Sequence, residues 1–274
     1  MKHIITLLAI VLASTTLSAC SKKYDEYGLN CKVKSVLEQS YSMTMKFGEP
    51  AKEYRVQNEL MEFNENGQMV SKNIYYDYES DELELREKEI YKYNDNGLLV
   101  EMDEYRGDGS YSGKETYEYN DLGLKTNEYW YDSDNKVSYH YHMEYNDAGN
   151  ETLYVSYDNG HENWRHEKTY NNNNFLISEV SYEKGKLWCT SEWTWDEDKL
   201  ISIKNIFGDG RVIIDNPELF KLTWNENGLP INSDHDDWGN VTYEYVTFDK
   251  KGNWTKRIAH GSEYSYITER EITY

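Results

Sequence analysis

From about residue 31 onward, apolar and polar side chains alternate with period two. Tyr139, Tyr141, Met143 and Tyr145 share one parity, and His140, His142 and Glu144 share the other, which puts the two sets on opposite faces of an extended strand. Such runs last about seven to nine residues and are rich in Tyr, Thr, Val, Ile and Trp, the residues that favour strands. Short polar turns interrupt them at fixed places. An aromatic followed by a polar tetrad recurs as Phe63-Asn64-Glu65-Asn66-Gly67, Tyr93-Asn94-Asp95-Asn96-Gly97, Tyr119-Asn120-Asp121-Leu122-Gly123 and Tyr145-Asn146-Asp147-Ala148-Gly149. Looser copies begin at Tyr170, Trp195, Trp224 and Phe248, and the chain stops at Tyr274, where a ninth aromatic is due. Successive spacings are 30, 26, 26, 25, 25, 29, 24 and 26 residues, a repeat of the kind that builds arrays of one supersecondary unit.

A second turn falls near the middle of each unit, as in Tyr131-Asp132-Ser133-Asp134-Asn135, Tyr157-Asp158-Asn159-Gly160 and Tyr182-Glu183-Lys184-Gly185. Asn, Asp and Gly tolerate the positive φ of short hairpin turns. Two turns per unit give two strands per unit, so the pattern predicts an all-β fold: an antiparallel hairpin meander of roughly 16–18 strands, stabilised unit by unit. A continuous twisted or curled sheet is favoured over a sandwich, with Tyr, Trp and Thr ladders on one face and Glu and Lys opposite. The stretch Gly48-Glu49-Pro50 reads as a loop between the first two strands. Glu269, Arg270 and Glu271 read as charges that protect a terminal edge strand.

Composition changes this picture in one respect. Apolar residues make up 38% of the 274, and 27 Tyr and 8 Trp account for more than a third of them, so a thick aliphatic core is not expected. Fifty Asp and Glu against 29 Lys and Arg leave a formal charge of -21, which repels phosphate backbones and anionic headgroups and argues against nucleic acid as a partner.

The beginning of the chain has a different pattern. Met1-Lys2-His3, a largely apolar run from Ile4 to Leu12 and the box Leu17-Ser18-Ala19-Cys20 form a secretory leader too short to span a bilayer. The box resembles the lipobox of bacterial lipoproteins. That resemblance implies removal of residues 1–19, a Cys20 carrying diacylglycerol and palmitate-type acyl chains, and a membrane partner held through N-terminal lipid. Loss of Lys2 takes the formal charge from -21 to -22, so lipid rather than charge must be the anchor. The expected domains are 1–19 leader, 20–30 lipidated tether and 31–274 repeat domain. Cys31 and Cys189, distant in sequence and along the repeat, read as two unpaired thiols.

The Tyr-Asn-Asp-x-Gly and Tyr-Asp-x-x-Gly boxes resemble the YD repeats of the RHS superfamily. From about residue 31 to 274 the chain is similar to tyrosine-rich repeat lipoproteins of Gram-negative gut bacteria, with Leu29 to Val36 matching their first strand. The resemblance implies a cell-envelope location, on the periplasmic face of the outer membrane or the cell surface. Large RHS proteins enclose a toxin; with few repeats and no cargo segment, an encapsulating role is not expected here.

Catalytic chemistry finds no anchor in the sequence. There is no Gly-x-Ser-x-Gly, His-Glu-x-x-His or phosphate-binding glycine loop, and carboxylates occur in every repeat and so select no pair. No enzyme activity, cofactor or metal is expected: Asp-rich turns such as Asp132 to Asn135 are accounted for by hairpin chemistry, and His140 and His142 by a solvated strand face. Trp residues cluster late. Trp195 and Trp224 occupy box positions and read as packing, whereas Trp188, Trp193 and Trp238 are candidate ligand-binding residues, since exposed rings on a sheet stack on sugars. The expected function is a non-enzymatic envelope scaffold or binding surface for protein or glycan. The alternatives are a carbohydrate-binding module for polysaccharide capture and a remnant of an RHS-type toxin-delivery system.

Overall fold

A computed structural model describes residues 29, 31–76, 84–215, 225, 229, 231–235, 239–261 and 264–274. Cys20, Trp224 and Trp238 lie outside the described residues. Every described element is a strand: β1 (Ser35–Lys46), β2 (Glu49–Phe63), β3 (Met69–Tyr76), β4 (Glu84–Tyr93), β5 (Leu99–Arg106), β6 (Tyr111–Tyr119), β7 (Lys125–Asp132), β8 (Val137–Tyr145) and β9 (Glu151–Asp158). They continue as β10 (His161–Tyr170), β11 (Leu176–Glu183), β12 (Lys186–Asp196), β13 (Lys199–Phe207), β14 (Val212–Asp215), β15 (Asn232–His235), β16 (Gly239–Phe248), β17 (Trp254–His260) and β18 (Ser265–Thr273). The first strand starts at Ser35, so Leu29 and residues 31–34 precede it rather than form it. Glu49 and Pro50 belong to β2, paired with Lys46 and Met45; only Phe47 and Gly48 make the loop.

The box turns explain the repeat. In each of the first four boxes the Asn side chain accepts the backbone N–H two and four residues ahead, at 2.9–3.1 Å. The N–H of the box Gly closes onto the Asn carbonyl, and that Gly sits at positive φ, +84° at Gly67. This is a type I turn followed by a left-handed residue that forms a bulge. The fifth box lacks Gly but keeps the geometry, because Asn174 adopts φ 64° and Asn171 makes the same two contacts. The sixth does differ: Asp196 pairs directly with Lys199 across a two-residue turn in which Glu197 takes φ 53°.

The box aromatic has its own repeated bond. Tyr93, Tyr119, Tyr145 and Tyr170 donate their hydroxyls, and Trp195 its indole N–H, to the carbonyls of Met69, Leu99, Lys125, Glu151 and Leu176 at 2.7–2.8 Å. Each acceptor lies six residues beyond the preceding box aromatic. Each latch therefore ties the end of one hairpin strand to the start of its partner. Trp195 also stacks on Phe175 at 4.7 Å, the packing role its box position implied.

Antiparallel pairing follows sequence order from β1 to β14 and from β15 to β18. In addition, β18 pairs with β1 from Ser35↔Thr273 to Ser42↔Tyr266. The sheet is thus one 18-stranded surface with chain start and chain end joined in its interior, and β18 is not an edge strand. Its charges do different work: Arg270 Nε donates to Glu38 at 2.7 Å and Lys52 pairs with Glu269 at 2.6 Å. Among the described residues no pairing joins β14 to β15. Seventeen inter-strand steps of about 4.8 Å would hold those strands about 80 Å apart in a flat sheet. The 16 residues between Asp215 and Asn232 span at most about 60 Å, so the sheet curls.

Fourteen of the described apolar residues are buried. The main cluster packs Leu29 and Val33 against Val36, Met61, Phe63 and Met69, joined by Tyr91, Ile272 and Tyr274, at the seam of β1, β2 and β18. Aromatic and charged side chains are not segregated by face as the sequence suggested. Glu128 accepts from the Trp130 indole at 2.6 Å on one face, while on the other His140 stacks between Tyr129 and Tyr157 at 4.4 and 5.1 Å. A half-buried sheet lets each ring shield a neighbouring charge, so ring and charge sit together.

Candidate functional site

The parity read from β8 holds: Tyr139 and Tyr141 face the same way, and cross-strand pairing carries that face across the sheet. Tyr139 opposes Trp130, Tyr141 opposes Ser156, Ser156 opposes Trp164, and Tyr154 opposes His166. Rings on it meet in sequence. From Trp130 the path runs to Tyr141, Tyr154, His166, Trp164, Trp188 and Phe207, with successive centroids 5.4–6.0 Å apart. The run crosses from β7 to β13.

Two local irregularities aim the indoles. The β9–β10 register shifts between Glu162 and Trp164, and the β11–β12 register shifts between Ser181 and Tyr182, leaving Trp188 as the extra residue. A bulge of this kind turns a side chain away from strict alternation. Between the two strands, the β11 residue opposite His166 is the small, buried Ser181, flanked on the same face by Glu179 and Glu183, and Trp164 and Trp188 touch edge to face with centroids 5.6 Å apart. A cleft of about 480 Å³ results, walled by Tyr139, Tyr141, Tyr154, Trp164, His166 and Trp188. Trp188 and Tyr139 are 45% and 41% exposed, enough ring surface to meet a ligand.

The floor is polar. His166 Nδ1 lies 2.8 Å from Glu179 Oε1 and 3.0 Å from Ser181 Oγ, and Ser181 also donates to Glu179 at 3.1 Å. The hydrogen bond from His166 holds the Glu179 carboxyl below the usual carboxylate range against the opposing effect of burial. Ser, His and Glu together invite comparison with a nucleophilic triad, but here Ser181 and Glu179 share one imidazole nitrogen. A relay needs the nucleophile and the orienting carboxylate on opposite ring nitrogens. Burial pushes the Tyr154 phenol up to about 12, with Tyr141, Glu128 and Glu151 adding to it, so at neutral pH it is a hydrogen-bonding group and not a charge.

Of the three candidate residues, Trp188 lines the cleft. Trp193 pairs with Ile203 further along β12, away from its walls, and Trp238 lies outside the described residues. Sequence reading missed Trp130, Trp164, Tyr154 and His166. His140 Nε2 and His142 Nδ1 both lie within hydrogen-bonding distance of Asn127 Oδ1, at 3.1 and 3.0 Å. Among the described residues no group of three or more His, Cys, Asp or Glu is placed to hold a metal. The two cysteines differ: Cys189 is buried and free, whereas Cys31, expected unpaired, is disulfide-bonded.

Fold and site together define a single-sheet protein of β-hairpin repeats carrying an aromatic cleft. No family model and no curated protein matches the chain. Among solved structures it is similar to the Tc holotoxin pore of Photorhabdus luminescens (12% identity, TM-score 0.44), covering 80% of this chain and 12% of that one. It is also similar to a porin-like protein from Bacteroides uniformis (14%, 0.42), covering 88% and 97%, and to a TcdB2–TccC3–Cdc42 complex (11%, 0.31), covering 86% and 16%. The chain spans about an eighth of the Tc toxin chain.

Proposed function

We propose that this protein is a non-catalytic binding scaffold of the bacterial cell envelope, built from YD-like hairpin repeats, anchored by lipid on Cys20 and presenting the aromatic cleft to a ligand. The observation that carries the binding role is the unbroken ring path from Trp130 to Phe207, which leaves rings exposed where a fold seeking only stability would cover them. The Leu17-Ser18-Ala19-Cys20 box supports the address, and the Tyr-Asn-Asp-x-Gly boxes support the kinship with YD repeats.

Labelling cells with an alkyne-tagged palmitate tests the anchor. Label on the full-length gene product and its membrane fractionation are expected, and Cys20→Ser abolishes both. Membrane retention of an unlabelled Cys20→Ser variant would overturn the reading. An acylated Cys20 sulfur cannot also form a disulfide, so the mass of the extracted protein with and without reductant reports whether Cys31 pairs with that sulfur instead. Protease shaving of intact against lysed cells tests surface display. Scaffold binding is tested by Trp164→Ala, which removes ligand capture while leaving the fold intact.

A further inference from the structure

Resting on that reading, we infer that the cleft takes an extended, neutral polysaccharide strand lying across β7 to β13. Three features of the site select this ligand.

The first is shape. The rings form a strip rather than a socket: six inter-strand steps of about 4.8 Å make it about 29 Å long, and rings recur along it every 5.4–6.0 Å. A monosaccharide or free amino acid would use a small part of it, whereas a chain of sugars can contact it throughout. The rings also brace one another, so little side-chain freedom remains to be lost on binding.

The second is wall chemistry. The cleft is lined by Tyr, Trp and His with Ser156 and Asn163, and among the described residues no Leu, Ile or Val lines it to receive an aliphatic peptide side chain. Ring faces are electron-rich and attract the C–H surface of a pyranose. Two carboxylates brace the rings by hydrogen bonds, Glu128 at the Trp130 indole and Glu179 at His166, and Ser156 and Asn163 in the cleft wall offer polar groups to sugar hydroxyls.

The third is charge. On the same face, cross-strand pairing continues from Trp130 to Glu115 and from Tyr141 to Glu128. Further along it, Glu89 opposes Glu104 and Lys72 opposes Glu89. A ligand leaving the cleft toward β2 meets Glu128, paired with Lys125, and then Glu115, Glu104 and Glu89 against the cation Lys72. Uronate-containing or sulfated chains would be repelled, leaving neutral glycans as the class that satisfies both the rings and the field.

The test titrates the full chain, purified in mild detergent, with linear neutral gluco-, manno- and xylo-oligosaccharides from mono- to hexasaccharide. Polygalacturonate, a sulfated glycan, a proline-rich peptide and a lysine-rich peptide are run alongside. Calorimetry and tryptophan fluorescence read binding. At least one neutral series is expected to bind with affinity rising with chain length, and the acidic polysaccharides are not expected to bind. Trp164→Ala and Trp188→Ala should each weaken binding by about tenfold or more, while Phe47→Asn, at the distant hairpin tip, leaves it unchanged. Retained thermal unfolding in each variant separates lost binding from lost fold. Length-independent binding, preference for the acidic polymers, or affinity indifferent to both Trp replacements overturns the inference. Trp164-dependent binding of either peptide without glycan binding overturns the ligand class and leaves the scaffold reading standing. Failure of every probe overturns both.

Discussion

A hydroxyl on the box aromatic does work that a bare ring cannot. Tyr145 donates to the Lys125 carbonyl at 2.7 Å, and four other boxes repeat this bond. Replacing Tyr145 by Phe keeps the ring and deletes the bond, leaving a half-buried carbonyl short of a donor; a loss of about 1 kcal/mol is expected, read as a lower urea midpoint with unchanged slope. The opposite case is Phe47. It occupies the first central position of a two-residue turn at φ 56°, followed by Gly48 at 86°, and its ring is fully exposed. A bulky side chain is strained there, and Asn is not. Phe47→Asn should therefore stabilise the protein by about 1 kcal/mol, measured as a raised melting temperature.

At the scale of elements, the junction of β1 with β18 is what makes a linear array into one curled sheet. Arg270, 9% exposed at its side chain, pairs with Glu38 and lies 3.6 Å from the centroid of buried Trp254. Arg270→Leu removes the cation and strands Glu38, with an expected cost of about 3 kcal/mol; adding Glu38→Gln should recover much of it, a coupling that a double-mutant cycle in denaturant measures. This junction was not legible in the sequence. Hairpins and their turns were, because Asn and Gly at a box position act on residues within four places. Glu269, Arg270 and Glu271 read as edge charges in the sequence because a pairing more than two hundred residues distant leaves no period to detect. The site divides in the same way. Trp188 stood out because it clusters in sequence with Trp193 and Trp195, but its actual neighbours, Trp164 and Phe207, lie on β10 and β13, and two bulges decide which way the indoles point. Alternation alone could not supply that.

Across the whole molecule, a thin sheet with few buried apolar residues must hold its carboxylates close together, and stability should then depend on pH. Burial raises the Glu115 carboxyl, with Glu128, Glu89 and Glu104 adding to the rise and the Tyr117 hydroxyl opposing it. Glu59 is raised by burial against the opposing Lys72, and Glu87 by burial and then by its contact with Glu89. For such a group the folded state binds more protons than the unfolded chain between the unfolded pKa, about 4.3, and the raised folded value. Its contribution is present below the unfolded pKa and lost as pH rises through the folded one. Glu179 and Glu162 are lowered, by His166 and Arg165 respectively, and their contributions have the opposite sense, present above the unfolded value and lost as pH falls through the lowered folded one. The two sets place maximal stability on the mildly acid side of neutrality, and relief of self-repulsion in a chain of formal charge -21 acts in the same direction. Scanning calorimetry on dilute protein should give a higher melting temperature at about pH 5.5 than at about pH 8. Glu115→Gln separates the local cause from the global one. If burial of that carboxylate matters, the variant gains stability at the higher pH by more than Glu65→Gln, which removes the same charge from an exposed turn, and its pH dependence is shallower. Equal gains from the two variants would assign the effect to net charge alone.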